Sequence, residues 1–300
     1  MLSTPSQKLT DGMRRHLLTG CPWGPAPIGA TTVREWSSRD TRPYLRNHVL
    51  SQLVTIAGRE MTDNWRDRRG LLSAAVYTLM GPAVVWLVSL ALRDPGRQGE
   101  SQPVLIAMMS VFTMVSAFIG GMNVAMDSIA GERERRSLLP LLMHPVTRLD
   151  LLLGKGLAVA AFSLAALTVN VLGFAVLLAR MPPWHIALCL VPLSLLAAAL
   201  QIWISTVCRG VKEANTYLSM LIFLPMGLGM FMVFSPVAGR VWWNYVPVAG
   251  QQLQLEAGLR GGELDIWRLL FLTLATVFLA GLALAAAAHR LERDDVVYGG

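Results

Sequence analysis

Charged side chains are scarce in this chain of 300 residues. Asp, Glu, Lys and Arg make up only 15% of it, whereas soluble proteins carry about 25%. Hydrophobic residues make up 54% of the chain, and its mean hydropathy is +0.49. Because the apolar residues also come in long blocks, the composition excludes an ordinary soluble domain and predicts an integral membrane protein.

The sequence also lacks the residue clusters that enzymes and metal sites need. Its three cysteines, Cys21, Cys189 and Cys208, give no disulfide framework and no Cys-x-x-Cys pair. The five histidines have no metal-ligand spacing, and no HExxH or GxSxG motif is present. The pair Gly154-Lys155 lacks the upstream glycine and the following Ser or Thr of a Walker A loop. We therefore expect no catalytic residue, no metal site and no cofactor bound by this chain.

A net charge of +7 can indicate nucleic-acid binding, but the distribution of the basic residues argues against it here. Most Lys and Arg lie just outside apolar blocks, where they set the orientation of membrane helices. The chain has no basic stripe interleaved with aromatic residues and no nucleic-acid-binding motif. The expected partner is the lipid bilayer, not a nucleic acid.

Six apolar segments are long enough to cross about 30 Å of hydrocarbon as helices. Lys and Arg are more numerous in the connections that lie inside when the amino terminus is inside, which predicts that both termini are cytoplasmic. The predicted spans are Leu71–Leu92, Pro103–Met126, Gly156–Ala179, Ile186–Val207, Ala214–Phe234 and Ile266–Ala288.

Ionisable residues are almost absent from these six spans. Asn123, Asn170 and Gln201 are their main polar side chains, and each is expected to form hydrogen bonds between helices. Transporters that couple to ions carry ionisable residues at the middle of the membrane. The sequence therefore disfavours a secondary transporter with its own ion site.

Before the first span, the pattern changes from irregular to helical. Residues 1–45 are rich in Pro, Gly, Ser, Thr and Arg and predict a flexible cytoplasmic tail. Residues 46–70 predict an amphipathic helix along the inner membrane face. A surface helix packed on a partner protein is a compatible alternative. The apolar side of this helix comprises Leu50, Leu53, Val54, Ala57, Met61 and Trp65.

Charge is concentrated in the stretch GERERRSLLPLLMHPVTRLDLLLGK, residues Gly131–Lys155. Five consecutive charged residues precede a leucine-rich segment that Pro140 and Pro145 prevent from forming one long helix. A basic inner loop that merely obeys the positive-inside rule is the simpler interpretation. It explains neither the interleaved Glu132 and Glu134 nor the leucines, and leucines beside charges on an inner face predict a docking site for another protein.

The connection predicted to lie outside, residues 235–265, is the longest loop after the tail. Trp242, Trp243 and Tyr245 are suited to anchoring it at the membrane interface. Residues Val248–Leu259 can form a short helix that ends before the two following glycines. The six-helix domain therefore covers residues 71–290, with a cytoplasmic loop at 127–155 and a cytoplasmic C-terminal tail at 291–300.

Two of these stretches resemble the membrane subunits of ABC-2 type ATP-binding-cassette exporters, in particular the branch of sodium-efflux permeases. Gly131–Lys155 is similar to that branch's GEKERGTLEPLLATPVSRLELLLGK. AGREMTDNWRDRRGLL, residues Ala57–Leu72, is similar to its ARKELRDTLRDRRTLL. The six-span layout also agrees, and the resemblance covers about residues 50–290. At Arg136 and Leu139 the chain departs from the family's glycine and acidic residue.

The resemblance implies an all-α, type V exporter-like permease fold with an N-terminal interfacial helix. It further implies a homodimer or heterodimer of permeases in a bacterial inner membrane, driven by separate ATPase subunits that bind ATP and Mg²⁺. Gly131–Pro145 would then be the coupling helix that meets the ATPase. The implied coupling residues are Glu132, Arg133, Glu134, Arg135, Leu141, Leu142 and Pro145. The implied interfacial residues are Arg59, Glu60, Arg66, Asp67, Arg68 and Arg69.

The function expected from the sequence is therefore export of a substrate such as Na⁺, a drug or a lipid-like molecule. A membrane scaffold that uses ATPase motion for a mechanical task is an alternative. A membrane-bound enzyme is a second alternative, although it would need a convergent set of His, Asp or Glu within the spans, which the sequence does not contain.

Overall fold

The computed structural model describes residues 41–92, 98–135, 147–174, 179, 181–234, 241–262 and 265–291. Within these residues every regular element is a helix. Residues 1–40 of the predicted tail lie outside the described part of the chain, as do residues 292–300. The same holds for Leu141, Leu142 and Pro145 of the predicted coupling segment, and for Arg136 and Leu139.

Six helical stretches are long and apolar enough to cross a membrane, which confirms the predicted all-helical fold with six spans. The second stretch is continuous from Gln102 to Glu134 and contains a π-helical turn. In chain order the elements are α1 (Thr41–Arg66), α2 (Arg68–Ala91), α3 (Gln98–Gly120), α4 (Met122–Ala125), the π-helical turn (Met126–Gly131), α5 (Glu132–Glu134), α6 (Arg148–Gly173), α7 (Pro183–Val207), α8 (Val211–Phe234), a 3₁₀ helix (Val241–Tyr245), α9 (Ala249–Leu259) and α10 (Ile266–Leu291).

The boundary between α1 and the first span lies at Asp67. Its side chain accepts hydrogen bonds from the backbone N–H groups of Arg69 and Gly70, both at 3.2 Å, which satisfies two free donors of the first turn of α2. Arg68 and Arg69 therefore begin the span, whereas they were expected at the end of the interfacial helix. Helix α1 begins at Thr41 and so includes the last five residues of the segment predicted as a tail.

The third span also begins earlier than the apolar pattern predicts. The Thr147 hydroxyl accepts a hydrogen bond from the backbone N–H of Asp150 at 3.1 Å, and this cap starts α6 at Arg148. A hydropathy profile misses this start, because the first turns of α6 are polar and only the apolar residues that follow raise the mean hydropathy. The helix ends at Gly173, before the predicted end at Ala179.

Helix α7 forms the centre of the bundle and packs against α10, α6 and α3. Small residues allow this close packing, among them Ala197 and Ala199 of α7 and Ala280 of α10, all buried. The outer helices α2, α8 and α10 instead expose large apolar side chains such as Trp86 and Phe223. In a protein with several membrane spans, exposed apolar side chains of this kind suit contact with hydrocarbon or with another apolar surface.

Hydrogen bonds between helices confirm the role predicted for the polar residues of the spans. The Asn123 amide donates to the Gly70 carbonyl at 3.2 Å and to the Ser73 hydroxyl at 3.0 Å. The Asn170 amide donates to the carbonyl of Thr78 at 3.4 Å, and the Gln201 amide donates to a carbonyl of α3. These bonds satisfy polar groups that would otherwise be buried without partners.

The π-helical turn lies just beyond a close contact between the end of α3 and α6. A Cβ atom added at Gly120 would lie 2.4 Å from the Cβ of Ala166, and one at Gly121 would lie 2.5 Å from the Ser163 hydroxyl. Only glycine fits at these two positions. Below, the end of the bundle that contains the π-helical turn, α5 and the start of α6 is called the polar end, and the opposite end is called the α9 end.

Candidate functional site: the ionic network at the polar end

A buried lysine joins three elements at the polar end. The Lys155 side chain on α6 is only 2% exposed, and its Nζ atom donates to Glu60 of α1 and to Glu132 of α5, the latter at 2.8 Å. It also donates to the Ser128 carbonyl of the π-helical turn at 2.8 Å. A buried ammonium is tolerated only with such partners. We call Lys155, Glu60, Glu132 and Ser128 the Lys155 network.

The local backbone explains how Glu60 reaches a lysine on another helix. Gly154 precedes Lys155, and a Cβ atom added there would lie 2.8 Å from the Cγ2 atom of Ile56. The absent side chain therefore lets α1 lie directly against α6, one helical turn from Glu60. The network thus places two carboxyl groups around one amino group.

The other two residues of α5, Arg133 and Glu134, form hydrogen bonds with the connection between the fourth and fifth spans. The Arg133 guanidinium donates to the carbonyls of Cys208 and Thr206, the latter at 3.1 Å. These are orphan carbonyls at the C-terminus of α7, where a cation is favoured. The Glu134 carboxylate accepts a hydrogen bond at 2.9 Å from the backbone N–H of Val211, the first residue of α8.

Two further ion pairs at this end are exposed to solvent. Arg135 lies 2.8 Å from the carboxylate of Asp127, with the two side chains 67% and 44% exposed. Arg59 lies 3.9 Å from Asp63 on the same face of α1, and both are exposed. Exposed pairs of this kind contribute little to stability.

The predicted coupling residues therefore divide into two groups. All four that lie in the described part of the chain, Glu132, Arg133, Glu134 and Arg135, have partners within this chain. Leu141, Leu142 and Pro145 lie outside the described residues. Of the predicted interfacial residues, Glu60 belongs to the Lys155 network and Asp67 caps α2, whereas Arg66, Arg68 and Arg69 are exposed.

Arg148 and Lys155 lie in the first turns of the third span, where basic residues commonly anchor a helix at the membrane face. Arg148 instead donates to the carbonyl of Leu291 at the C-terminus of α10, and Lys155 is buried. One signal in the sequence points to the unusual environment of Lys155. It is a single lysine with a glycine on either side, within a run of leucines.

Two clefts meet beside this network. The polar cleft, about 1010 Å³, lies among α1, the start of α2, the π-helical turn and α6. The apolar cleft, about 980 Å³, is bordered mainly by α2, α3 and α8. Ala74 and Asn123 line both clefts, so the two are neighbours.

Comparison with known proteins agrees with this architecture. A family model described as ABC-2 family transporter protein matches residues 54–259. The chain is 34% identical over 164 residues to the ABC transporter permease protein NatB of Bacillus subtilis, which covers 49% of this chain and 42% of that protein. It is 27% identical over 236 residues to the probable ABC transporter permease protein NosY of Stutzerimonas stutzeri, covering 79% and 72% of the two chains.

A shorter alignment gives 32% identity over 101 residues to the probable ABC transporter permease protein NosY of Pseudomonas aeruginosa, covering 34% and 36% of the two chains. The chain thus aligns with less than half the length of the Bacillus protein. The family match extends from α1 through all of α9 and includes every member of the Lys155 network. The resemblance predicted from the sequence is confirmed, and this chain belongs to the ABC-2 family of transporter proteins.

Proposed function

We propose that this chain is the membrane-spanning permease subunit of an ATP-driven exporter, in which separate ATPase subunits bind ATP and Mg²⁺ and this chain binds no cofactor. Family membership makes it a membrane subunit of a transporter. The observation that carries the coupling proposal is the set of ties made by α5. Glu132 joins this short helix to Lys155 of α6, and Lys155 in turn binds Glu60 of α1. Arg133 and Glu134 join it to the end of α7 and the start of α8.

These ties would make α5 a transmitting element. Residues 136–146 follow α5 directly and contain the leucines predicted to meet the ATPase. A displacement of that segment would act on α5 at its C-terminal end. Because buried ion pairs resist separation, the displacement would move α1, α6 and α8 together. It would not be absorbed by a flexible linker.

The division of roles follows from the same contacts. We assign Glu132, Arg133 and Glu134 as positioning residues that fix α5 to the membrane domain. Leu141, Leu142 and Pro145 would contact the ATPase directly, and Arg135 would lie at the edge of that contact. The polar end would face the cytoplasm of a bacterial cell, with both termini on that side, and two permease chains would form a homodimer or heterodimer.

Co-purification of the full chain with its cognate ATPase tests this proposal. Leu142→Asp should abolish recovery of the ATPase, because it places a charge in an apolar contact. Leu149→Asp is the matched control, since Leu149 is 47% exposed at the same end and is not assigned to the contact.

The glutamate variants give the second arm of this experiment. Glu132→Gln and Glu134→Gln should retain the ATPase but reduce its stimulation by the permease. Recovery of the ATPase with Leu142→Asp, or its loss with the two glutamate variants in correctly folded protein, would refute the assigned division of roles.

A further inference from the structure

The apolar cleft has the lining of a binding site for a flexible apolar group. On α8 it is lined at helical spacing by Ser219, Phe223, Met226 and Met230, and α3 contributes Met108 and Phe112. Methionine side chains are adaptable and suit irregular apolar ligands. Among the described residues that line this cleft, none is charged.

The neighbouring polar cleft has the opposite character. Five acidic and five basic side chains line it, so their formal charges balance. Lys155 with its two carboxylates, and Arg135 with Asp127, account for several of them. Arg69 lines the polar cleft, whereas its neighbour Arg68 does not. Such a lining suits a head group that carries charges of both signs or no net charge.

The junction between the clefts determines the shape of a ligand that could occupy both. Ala74 has a small side chain, and the Asn123 amide is held by hydrogen bonds to α2. A ligand that occupies both clefts would therefore have its polar part on one side of Ala74 and Asn123 and its apolar part on the other side. Each cleft is at the upper end of the size of small-molecule sites, about 300–1,000 Å³.

We propose that the two clefts together bind an amphipathic molecule, with a zwitterionic or neutral head group in the polar cleft and a single apolar chain in the apolar cleft. This inference rests on the proposed function in one respect, because it takes the bound molecule to be the cargo of the exporter. The apolar cleft itself offers no carboxylate ligand for a bare metal cation among its described residues.

The test uses the purified full chain, without an ATPase, in nanodiscs of phosphatidylglycerol. The probe is a lysophosphatidylcholine with a diazirine in its acyl chain, and labelled residues are identified by mass spectrometry after illumination. We expect labels on Met108, Phe112 and Met226, because these residues line the apolar cleft.

Two matched pairs of variants locate the binding. Ser219→Trp fills the apolar cleft and should reduce labelling about tenfold. Met220→Trp, on the adjacent residue, does not line the cleft and is 60% exposed, so it should leave labelling unchanged. Arg69→Gln should weaken binding about threefold, whereas Arg68→Gln should not. All four variants must elute and melt like the wild type.

Three results would overturn the proposal. Equal labelling of the two tryptophan variants would mean that the probe reports only the surrounding lipid. Equal competition by an alkane diazirine without a head group would remove the role of the polar cleft. Efficient disulfide formation between the Ser219→Cys residues of two copies would mean that a second chain fills the apolar cleft. Because no ATPase is present, each result is independent of the docking proposal.

Discussion

The two ends of the bundle both bury polar groups, but they use different chemistry. At the polar end, full charges are paired across helices around Lys155. At the α9 end, neutral donors surround a single carboxylate or bond to one another: the Gln251 amide donates to Thr276 at 3.1 Å, and the Gln252 amide donates to Glu256 at 3.2 Å. The only charged partner that Glu256 has among the described residues is the half-exposed Arg260, at 3.7 Å. The Ser110 hydroxyl of α3 also donates to Glu256, at 2.9 Å.

This difference bears on how each end responds to a disturbance. Loss of the cation from a buried ionic group leaves uncompensated charges, whereas loss of one neutral donor to a carboxylate that keeps other partners costs only about 1.5 kcal/mol. The polar end therefore behaves as a rigid joint, and the α9 end as a contact that opens at low cost. This difference suits the proposal that ATPase subunits act on the polar end. Substitutions at both ends test the difference, and their expected effects decrease in the order given.

The largest effect should come from Lys155→Met. It leaves the carboxylates of Glu60 and Glu132 close together without their cation, and we expect a loss of about 3–5 kcal/mol in unfolding free energy. Unfolding of the purified protein in detergent, followed by circular dichroism, measures it. Lys212→Met, at the exposed start of α8, is the control and should have little effect. A small effect of Lys155→Met would show that the polar end is not rigid.

Arg133→Gln should have the second largest effect. It removes charged hydrogen bonds to the Thr206 and Cys208 carbonyls and should cost about 2 kcal/mol. Burial raises the pKa of the Cys208 thiol, and nearby Glu213 adds to the shift. Since only the thiolate reacts, alkylation of Cys208 in wild type should need a higher pH than a free thiol does.

The alkylation rate of Cys208 measures this second effect. In a background in which Cys21 and Cys189 are replaced by serine, Arg133→Gln should shift the pH profile of the maleimide labelling rate toward higher pH, because the positive charge of Arg133 opposes the rise in the pKa of the Cys208 thiol. Arg135→Gln is the control, because the Arg135 side chain pairs with the exposed Asp127. Identical rates in the two variants would argue against the tie between α5 and α7.

At the α9 end, Ser110→Ala should cost about 1.5 kcal/mol, the low end for a hydrogen bond to a charged group, because Glu256 keeps the Gln252 amide. The same unfolding measurement applies, with Ser89→Ala as the control, since the Ser89 hydroxyl bonds only locally, to the Trp86 carbonyl of its own helix. A loss as large as that from Lys155→Met would remove the contrast between the two ends.

The smallest effect should come from the exposed pair of Arg135 and Asp127. Asp127→Asn should change the unfolding free energy by less than about 1 kcal/mol, because solvent screens the interaction. The small loss should disappear when the salt concentration is raised. A loss above that of Ser110→Ala would mean that exposed charges contribute to the rigidity of the polar end.

Much of the fold could be predicted because it depends on local pattern. Long apolar runs predict the six spans, and the short helix predicted at Val248–Leu259 is found at Ala249–Leu259. The predicted starts of α2 and α6 are less accurate. The caps at Asp67 and Thr147 depend on side-chain hydrogen bonds, which a hydropathy profile does not contain.

The site could be predicted only in part, because its contacts join distant residues. Lys155 meets Glu60 and Glu132, which lie 95 and 23 positions away in the sequence. Periodicity places each glutamate on a helix near the membrane face but gives no partner. The sequence predicts that the charged cluster meets another protein, and it gives no sign of the partners that the described members also have within the chain. The two clefts also depend on the packing of several helices and leave no local signal.

A double-mutant cycle between Lys155 and Glu132 tests the central claim most directly. The unfolding free energies of wild type, Lys155→Met, Glu132→Gln and the double variant give the coupling energy between the two side chains. Because the pair is mostly buried, we predict a coupling of about 2 kcal/mol, with the double variant more stable than Lys155→Met alone. A coupling below about 0.5 kcal/mol would contradict the rigid ionic joint at the polar end.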